Sequence, residues 1–183
     1  MVKKILISAM TVLLLVATGC EKQPPDNPND NPKTEVVTPD NGNKNANVKD
    51  AKTLQVTVYY PDQAGMSLIP VQREIKITDD SQKYISAVNC LLDTPAEEEL
   101  IKIFPKDAKI KSIILKGDTA IVDLDSGITK NFVGGSTGEE FLINSVVDTL
   151  TEFDEVKQVQ FLIDGKEVET LAGHMDLSAP IKR

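Results

Sequence analysis

A recurring switch in hydrophobic period constrains this chain more than any other feature, because residues 54–77 alternate as strands do and later stretches repeat at helical spacing. Leu54-Gln55-Val56-Thr57-Val58-Tyr59-Tyr60 sets apolar against polar side chains among strong strand formers, and Pro61-Asp62 closes the run as a turn. Residues 67–77 place Leu68, Ile69, Val71, Ile75 and Ile77 among Gln72, Arg73, Glu74 and Lys76, a second strand that reads as hairpin partner or near neighbour of the first. Tyr84, Ile85, Val88, Leu91 and Leu92 then fall at helical spacing, with Ser81 placed to cap the start and Thr94-Pro95 to end it. Thr94-Pro95-Ala96-Glu97 has the form of a capping box with proline at the first helical position, which predicts a short helix through Leu100 and Ile103, stopped by Phe104-Pro105.

Residues 109–115 and 119–125 read as strands joined by the turn Lys116-Gly117-Asp118. Residues 139–153 form the strongest helical pattern, with Phe141, Leu142, Val146, Leu150 and Phe153 in one stripe. A strand over 156–163, a turn at Asp164-Gly165 and a return strand over 166–171 follow. The order β, β, α, β, β, α, β, β predicts a single α+β domain whose mixed or antiparallel sheet carries two main helices on one face.

The N-terminus decides compartment. Lys3 and Lys4 precede an apolar run over residues 5–16, broken only by Ser8 and Thr11, and small residues lead to Gly19-Cys20. This is lipoprotein signal architecture: a signal peptide over 1–19, then Cys20, whose thiol becomes a thioether to diacylglycerol and whose freed amine is acylated. Ala17 stands where leucine is more frequent, and an ordinary cleaved signal or a short core helix is the competing reading. The run is shorter than the about 20 apolar residues a spanning helix needs. Residues 20–52 carry Pro24, Pro25, Pro28, Pro32 and Pro39 among Asn, Asp and Lys, with Val36-Val37 the main apolar pair. Such a segment buries too little apolar area to offset its ordering entropy and reads as a disordered tether between the lipid anchor and a domain over 53–183. The expected location is the extracytoplasmic side of the cell membrane.

A net charge of -8 argues against nucleic acid and against charge-driven binding to anionic lipid. Cys20 and Cys90 are the only cysteines, so lipidation of the first leaves no disulfide, and Cys90 in its apolar helical pattern reads as a small buried hydrophobe. Nothing in the inventory implies a cofactor. His174, the one histidine, sits in Gly173-His174-Met175-Asp176 and reads as a solvated turn residue rather than a base or zinc ligand, and no G-x-S-x-G elbow is present. Asp123-Leu124-Asp125-Ser126-Gly127 resembles part of a calcium loop, but its twelfth position is Gly134, so the carboxylates are expected to face water or cap a turn.

Gly134-Gly135-Ser136-Thr137-Gly138-Glu139-Glu140 is the one loop with binding character, since glycines leading into a helix expose N–H groups to an anion or partner. Gly134, Gly135, Ser136, Gly138 and Glu139 are its candidate contacts. Against this, Ser136-x-x-Glu139 forms a capping box that would satisfy those donors internally, and two glutamates repel phosphate. An enzymatic alternative, a cell-wall hydrolase, would require carboxylates such as Asp123 and Glu139 about 5 to 10 Å apart.

Gly117-Asp118-Thr119-Ala120-Ile121-Val122-Asp123-Leu124, Gly138-Glu139 at a helix start, Asp148-Thr149-Leu150-Thr151-Glu152-Phe153, residues 156–161, Asp164-Gly165-Lys166 and Leu171-Ala172-Gly173-His174-Met175-Asp176-Leu177-Ser178-Ala179-Pro180 together resemble the GerMN domain of sporulation and spore germination lipoproteins. The resemblance runs collinearly over about residues 54–181. It implies an α+β domain in one or two copies on a lipoprotein or membrane protein, without an established catalytic role. It also implies an architecture similar to ring-building domains of the machinery joining mother cell and forespore, and a ligand or partner protein in the envelope. This chain holds one copy where the best-known germination member holds two. A sheet edge is the expected partner surface, for an envelope protein or for self-association.

Overall fold

The computed structural model describes residues 51–183. Cys20 and the signal and tether segments lie outside the described residues. Strand β1, Lys52–Pro61, pairs antiparallel with β2, Leu68–Ile77, in the register Tyr60↔Ile69 and Val56↔Arg73. The Asp62 N–H donates to the Ser67 C=O at 3.0 Å, which sets the phase of this ladder. Even-numbered residues of β1 direct their main-chain groups at β2, and odd-numbered ones direct theirs away. Pro61 and Pro70 both occupy away-facing positions, where a missing N–H removes no bond between the two strands.

Helix α1, Lys83–Asn89, follows between two 3-10 turns at Asp80–Gln82 and Cys90–Leu92. Strands β3, Ile110–Lys116, and β4, Thr119–Leu124, form the expected hairpin about Gly117, whose φ of 65° requires glycine's freedom. The short α2, Gly127–Lys130, leads to the long α3, Gly135–Thr151. Strand β5, Gln158–Ile163, lies parallel to β4, and β6, Lys166–Glu167, turns back beside it.

The domain is α+β, with mixed and antiparallel pairing. Its strands divide into two sheets, β1-β2 and β3-β4-β5-β6, a partition that strand order alone does not determine. One apolar cluster joins them: Val56, Val58 and Tyr60 from the hairpin, Val122, Leu124 and Phe161 from the larger sheet, and Leu142, Val146 and Leu150 from α3. Helix α3 packs against β1 and β5, while α1 packs against β2, β3 and α3, so both main helices lie on the buried side.

Three local expectations are corrected. Asp79, not Ser81, caps the first helical turn, its carboxylate accepting the Ser81 N–H at 2.9 Å. No helix forms over 97–103: Glu97 is held by the Arg73 guanidinium through two bonds of 2.9 and 2.6 Å and cannot fold back as a cap. Residues 99–101 instead bond to β1's end, Ile101 N–H to Pro61 C=O and Gln63 N–H to Glu99 C=O. The last strand is two residues long instead of running to Leu171, because the Leu171 N–H is taken by a buried carboxylate on α3.

Two stability measurements follow from the core. Leu150→Ala, at a fully buried site on α3, should cost about 3 kcal/mol in denaturant unfolding; a loss below about 1 kcal/mol would contradict the packing described. Ser145 is fully buried with an Oγ that meets no hydrogen-bond partner among the described residues, so Ser145→Ala should raise stability by about 1 kcal/mol.

Candidate functional site

Glycines shape the entrance to α3. A side chain at Gly134 would meet the Gly138 Cα and the Phe132 ring, each at 2.9 Å, so these glycines exist to pack around Phe132. The helix starts at Gly134 with no side-chain cap, and the capping box expected at Ser136 and Glu139 does not form. Glu139 turns into the interior instead, where its side chain is fully buried. Its Oε1 accepts the Leu171 and Ala172 N–H groups, both at 2.9 Å, and its Oε2 accepts the His174 N–H at 2.9 Å and faces the His174 Nδ1 at 3.0 Å.

Burial pushes the Glu139 carboxyl upward, but the Ala172 N–H, the His174 ring and the remaining N–H donors outweigh it and hold the pKa below the usual carboxylate value. With four donors on two oxygens, this carboxylate ties α3 to the 171–174 loop and has no lone pair free for a substrate proton. His174 is a half-exposed turn residue, as expected, that in addition bonds Glu139, its Nδ1 carrying the proton toward the carboxylate.

The other candidates are likewise engaged. Asp123 Oδ1 accepts the Gly165 N–H at 2.8 Å and holds the turn in which Asp164 and Gly165 adopt φ of 50° and 75°. Asp125 accepts the Lys109 N–H at 2.7 Å and the Gly127 N–H at 3.2 Å, the turn-capping role anticipated for this segment. Asp123 and Glu139 thus hold different segments, Asp123 the 164–165 turn and Glu139 the 171–174 loop. Among the described residues no group of three or more His, Cys, Asp and Glu side chains is placed to hold a metal. Cys90 is half-buried with its Sγ 3.4 Å from the Ser86 C=O, and burial raises its thiol pKa, which disfavours the reactive thiolate. Ser136 borders a small cavity of about 230 Å³ with Glu140, His174 and Met175.

Two further depressions, among others, were not anticipated. One, of about 710 Å³, lies between the Gly65–Leu68 turn and α3, with Met66, Phe141, Asp148 and Arg183 among its walls. Arg183 ties it together: Nη1 donates to Glu152 and Nη2 to the Tyr59 hydroxyl oxygen, both at 2.6 Å, and the guanidinium lies 4.8 Å from the Tyr59 ring centre. Burial raises the Asp148 carboxyl pKa against the opposing pull of Arg183. The second is a groove of about 320 Å³ beside β1, bordered by Lys52, Leu54, Val56, Lys83 and Phe153. Lys83 stands 5.0 and 5.5 Å from the ring centres of Tyr84 and Phe153, which pack edge to face, and pairs with Glu155. Neither depression leaves a motif in the sequence, because each assembles side chains from elements far apart in order.

The sequence model of the Germane family, described as sporulation and spore germination, matches residues 57–169. The chain belongs to this family. Its fold recurs in solved structures. A Clostridium perfringens protein described as a lipoprotein superposes with a TM-score of 0.52 at 24% identity, over 72% of this chain and 88% of that one. The tandem GerMN domains of the Bacillus subtilis sporulation protein GerM superpose with a TM-score of 0.53 at 27% identity, over 72% of this chain and 46% of theirs, which matches one copy against two. The first of those domains alone gives a TM-score of 0.57 at 18% identity, over 71% and 98% of the two chains. No curated protein sequence matches significantly. The 171–174 loop and Arg183 lie beyond the family match; the Glu139 and Arg183 contacts, together with the Val159–Ile181 bridge and the Leu177 N–H to Glu169 C=O bond, fasten these residues to the domain's body.

Two predictions concern these anchors. Glu139→Gln replaces an acceptor by a donor beside the His174 N–H and should cost about 2 to 3 kcal/mol, with amide exchange at Leu171, Ala172 and His174 accelerating together. Unchanged exchange at those three amides would refute the tie. Glu155, bonded to Lys83 and to the Tyr84 hydroxyl, is lowered to about 2, so its contribution is full above about pH 4.3 and is lost as pH falls toward about 2. In Glu155→Gln the denaturant midpoint should decline less steeply across that window than in the parent chain.

Proposed function

We propose that this GerMN domain is a non-catalytic binding or scaffold module, anchored through lipidated Cys20 to the extracytoplasmic face of the cell membrane, serving sporulation or spore germination by holding a partner protein of the envelope. The observation that carries the reading is the family match over residues 57–169; in this reading residues 1–19 are a lipoprotein signal and Cys20 the anchor that follows it. The engagement of Glu139 by three main-chain N–H groups, and of Asp123 Oδ1 by the Gly165 N–H, supports a non-catalytic role. No described helix is long and apolar enough to cross a membrane, so attachment in this reading falls to the lipid. Two or three acyl chains suffice for stable anchoring, at about 0.8 kcal/mol per buried methylene. The glycine loop at 134–138 and Ser136's small cavity supply a secondary contact for the partner.

Cys20→Ala tests the anchor. In cells fed radiolabelled palmitate, the substitution should abolish labelling, move the chain from the membrane to the soluble fraction, and end its stage-specific crosslinks to envelope proteins during sporulation. A variant that stays labelled and membrane-bound would refute the anchor. Release of soluble wall fragments by the purified chain, abolished by Asp123→Asn, would restore the hydrolase reading in its place.

A further inference from the structure

The groove beside β1 is bordered by outward-facing main-chain groups of the strand. The ladder phase turns the main-chain N–H and C=O groups of Thr53, Gln55 and Thr57 away from β2. Among the described residues these groups meet no hydrogen-bond partner. Further along the same edge the outward groups are covered: the Tyr59 N–H donates to Thr149 Oγ1 at 3.1 Å, and the Pro61 C=O accepts the Ile101 N–H at 3.0 Å. Among the described residues one half of β1's outer edge is thus sealed and the other half is bare, at the mouth of a cavity of about 320 Å³.

The remaining sheet edges are guarded. The outward positions of β2 include Pro70, Glu74 and Lys76. Strand β3 carries Lys111 and Lys116 and a register irregularity between Ile110 and Ser112, and β6 has two residues. Proline, charge, bulges and shortness each discourage another strand from pairing. Thr53, Gln55 and Thr57 present none of these. The charges around the groove are already paired within the chain, Lys52 with Asp80 at 3.4 Å, Lys83 with Glu155 and Glu152 with Arg183, so they offer little to a charged ligand. Leu54, Val56 and Phe153 give the groove an apolar side.

We propose that this half-edge of β1 is a docking site for an extended peptide of a partner protein, uncharged and apolar at alternate positions, which adds as a new strand beside Thr53, Gln55 and Thr57. The inference rests on the binding-module reading and names its surface and ligand class. Main-chain bonds to the three residues supply the ladder, and alternate side chains of the peptide pack toward Leu54, Val56 and Phe153. Thr149, already bonded at Tyr59, marks where the added strand must stop, which fixes its register.

The test uses the full isotope-labelled chain in detergent micelles, with the blocked hexapeptide (Thr-Val)3 at millimolar concentration as probe and amide exchange as readout. The peptide should slow exchange at Thr53, Gln55 and Thr57 by about tenfold and leave β3's edge unchanged. The same peptide N-methylated at every amide should have no effect. Gln55→Pro, which removes an outward main-chain donor and no main-chain bond to β2, though it loses the Gln55 side-chain bond to Glu74, should weaken the effect by about tenfold, and Gln55→Ala, which loses only that side-chain bond, should leave it unchanged. Protection at β3's edge or beside Met66 instead, equal activity of the N-methylated peptide, or no protection would overturn the proposal. Protection present before the peptide is added, and rising with protein concentration, would assign the edge to a second copy and overturn it as well. Each of these outcomes is independent of Cys20-dependent anchoring, whose failure would count against the module reading alone.

Discussion

A buried carboxylate sets the terms for much of this domain. Glu139 lies fully inside, one turn into α3, and collects the N–H groups of Leu171, Ala172 and His174 together with the His174 ring. A buried charge is tolerated only when its lone pairs are filled, and here the filling comes from a loop more than thirty residues away. The bond shortens the last strand, shapes the 171–174 loop and fixes α3 against it. The same bonds outweigh burial and hold the carboxyl pKa below the usual carboxylate value.

A second set of ties works from the opposite end of α3. Glu152, Tyr59 and Arg183 share short hydrogen bonds, and Thr149 takes the outward N–H of Tyr59. Helix α3 therefore acts as a spine: one end holds the 171–174 loop, the other holds β1 and the chain's last residue. The polar side chains that first suggest chemistry are mostly consumed by this fastening. Unsatisfied directional groups remain at β1's outer edge, in the backbone, where a sequence pattern carries no trace of them.

The strands were legible wherever alternation was clean, as at 54–60 and in the hairpin about Gly117, and the family resemblance was legible in the collinear motifs from 117 to 166. Both capping boxes were misread, for the same physical reason. Glu97 is drawn to Arg73, 24 residues away, and Glu139 to Leu171, 32 residues away. A short-range pattern cannot report that a long-range donor has claimed the carboxylate. The bond from His174 to Glu139 was missed on the same account. The partition of strands into two sheets, the cleft at Met66 and the half-open edge all depend on tertiary placement, so composition and periodicity were silent on them.

The central claim is that the acids of this GerMN domain are structural ties and that its function lies in its surfaces. The most direct test is a carbon-13 titration of the Glu139 side-chain carboxyl in the folded chain. The account predicts a midpoint below the about 4.3 of a free glutamate, unchanged when soluble cell-wall fragments are added. A midpoint above that value, or one that moves upward with the fragments, would show a carboxyl available as an acid and would contradict the account.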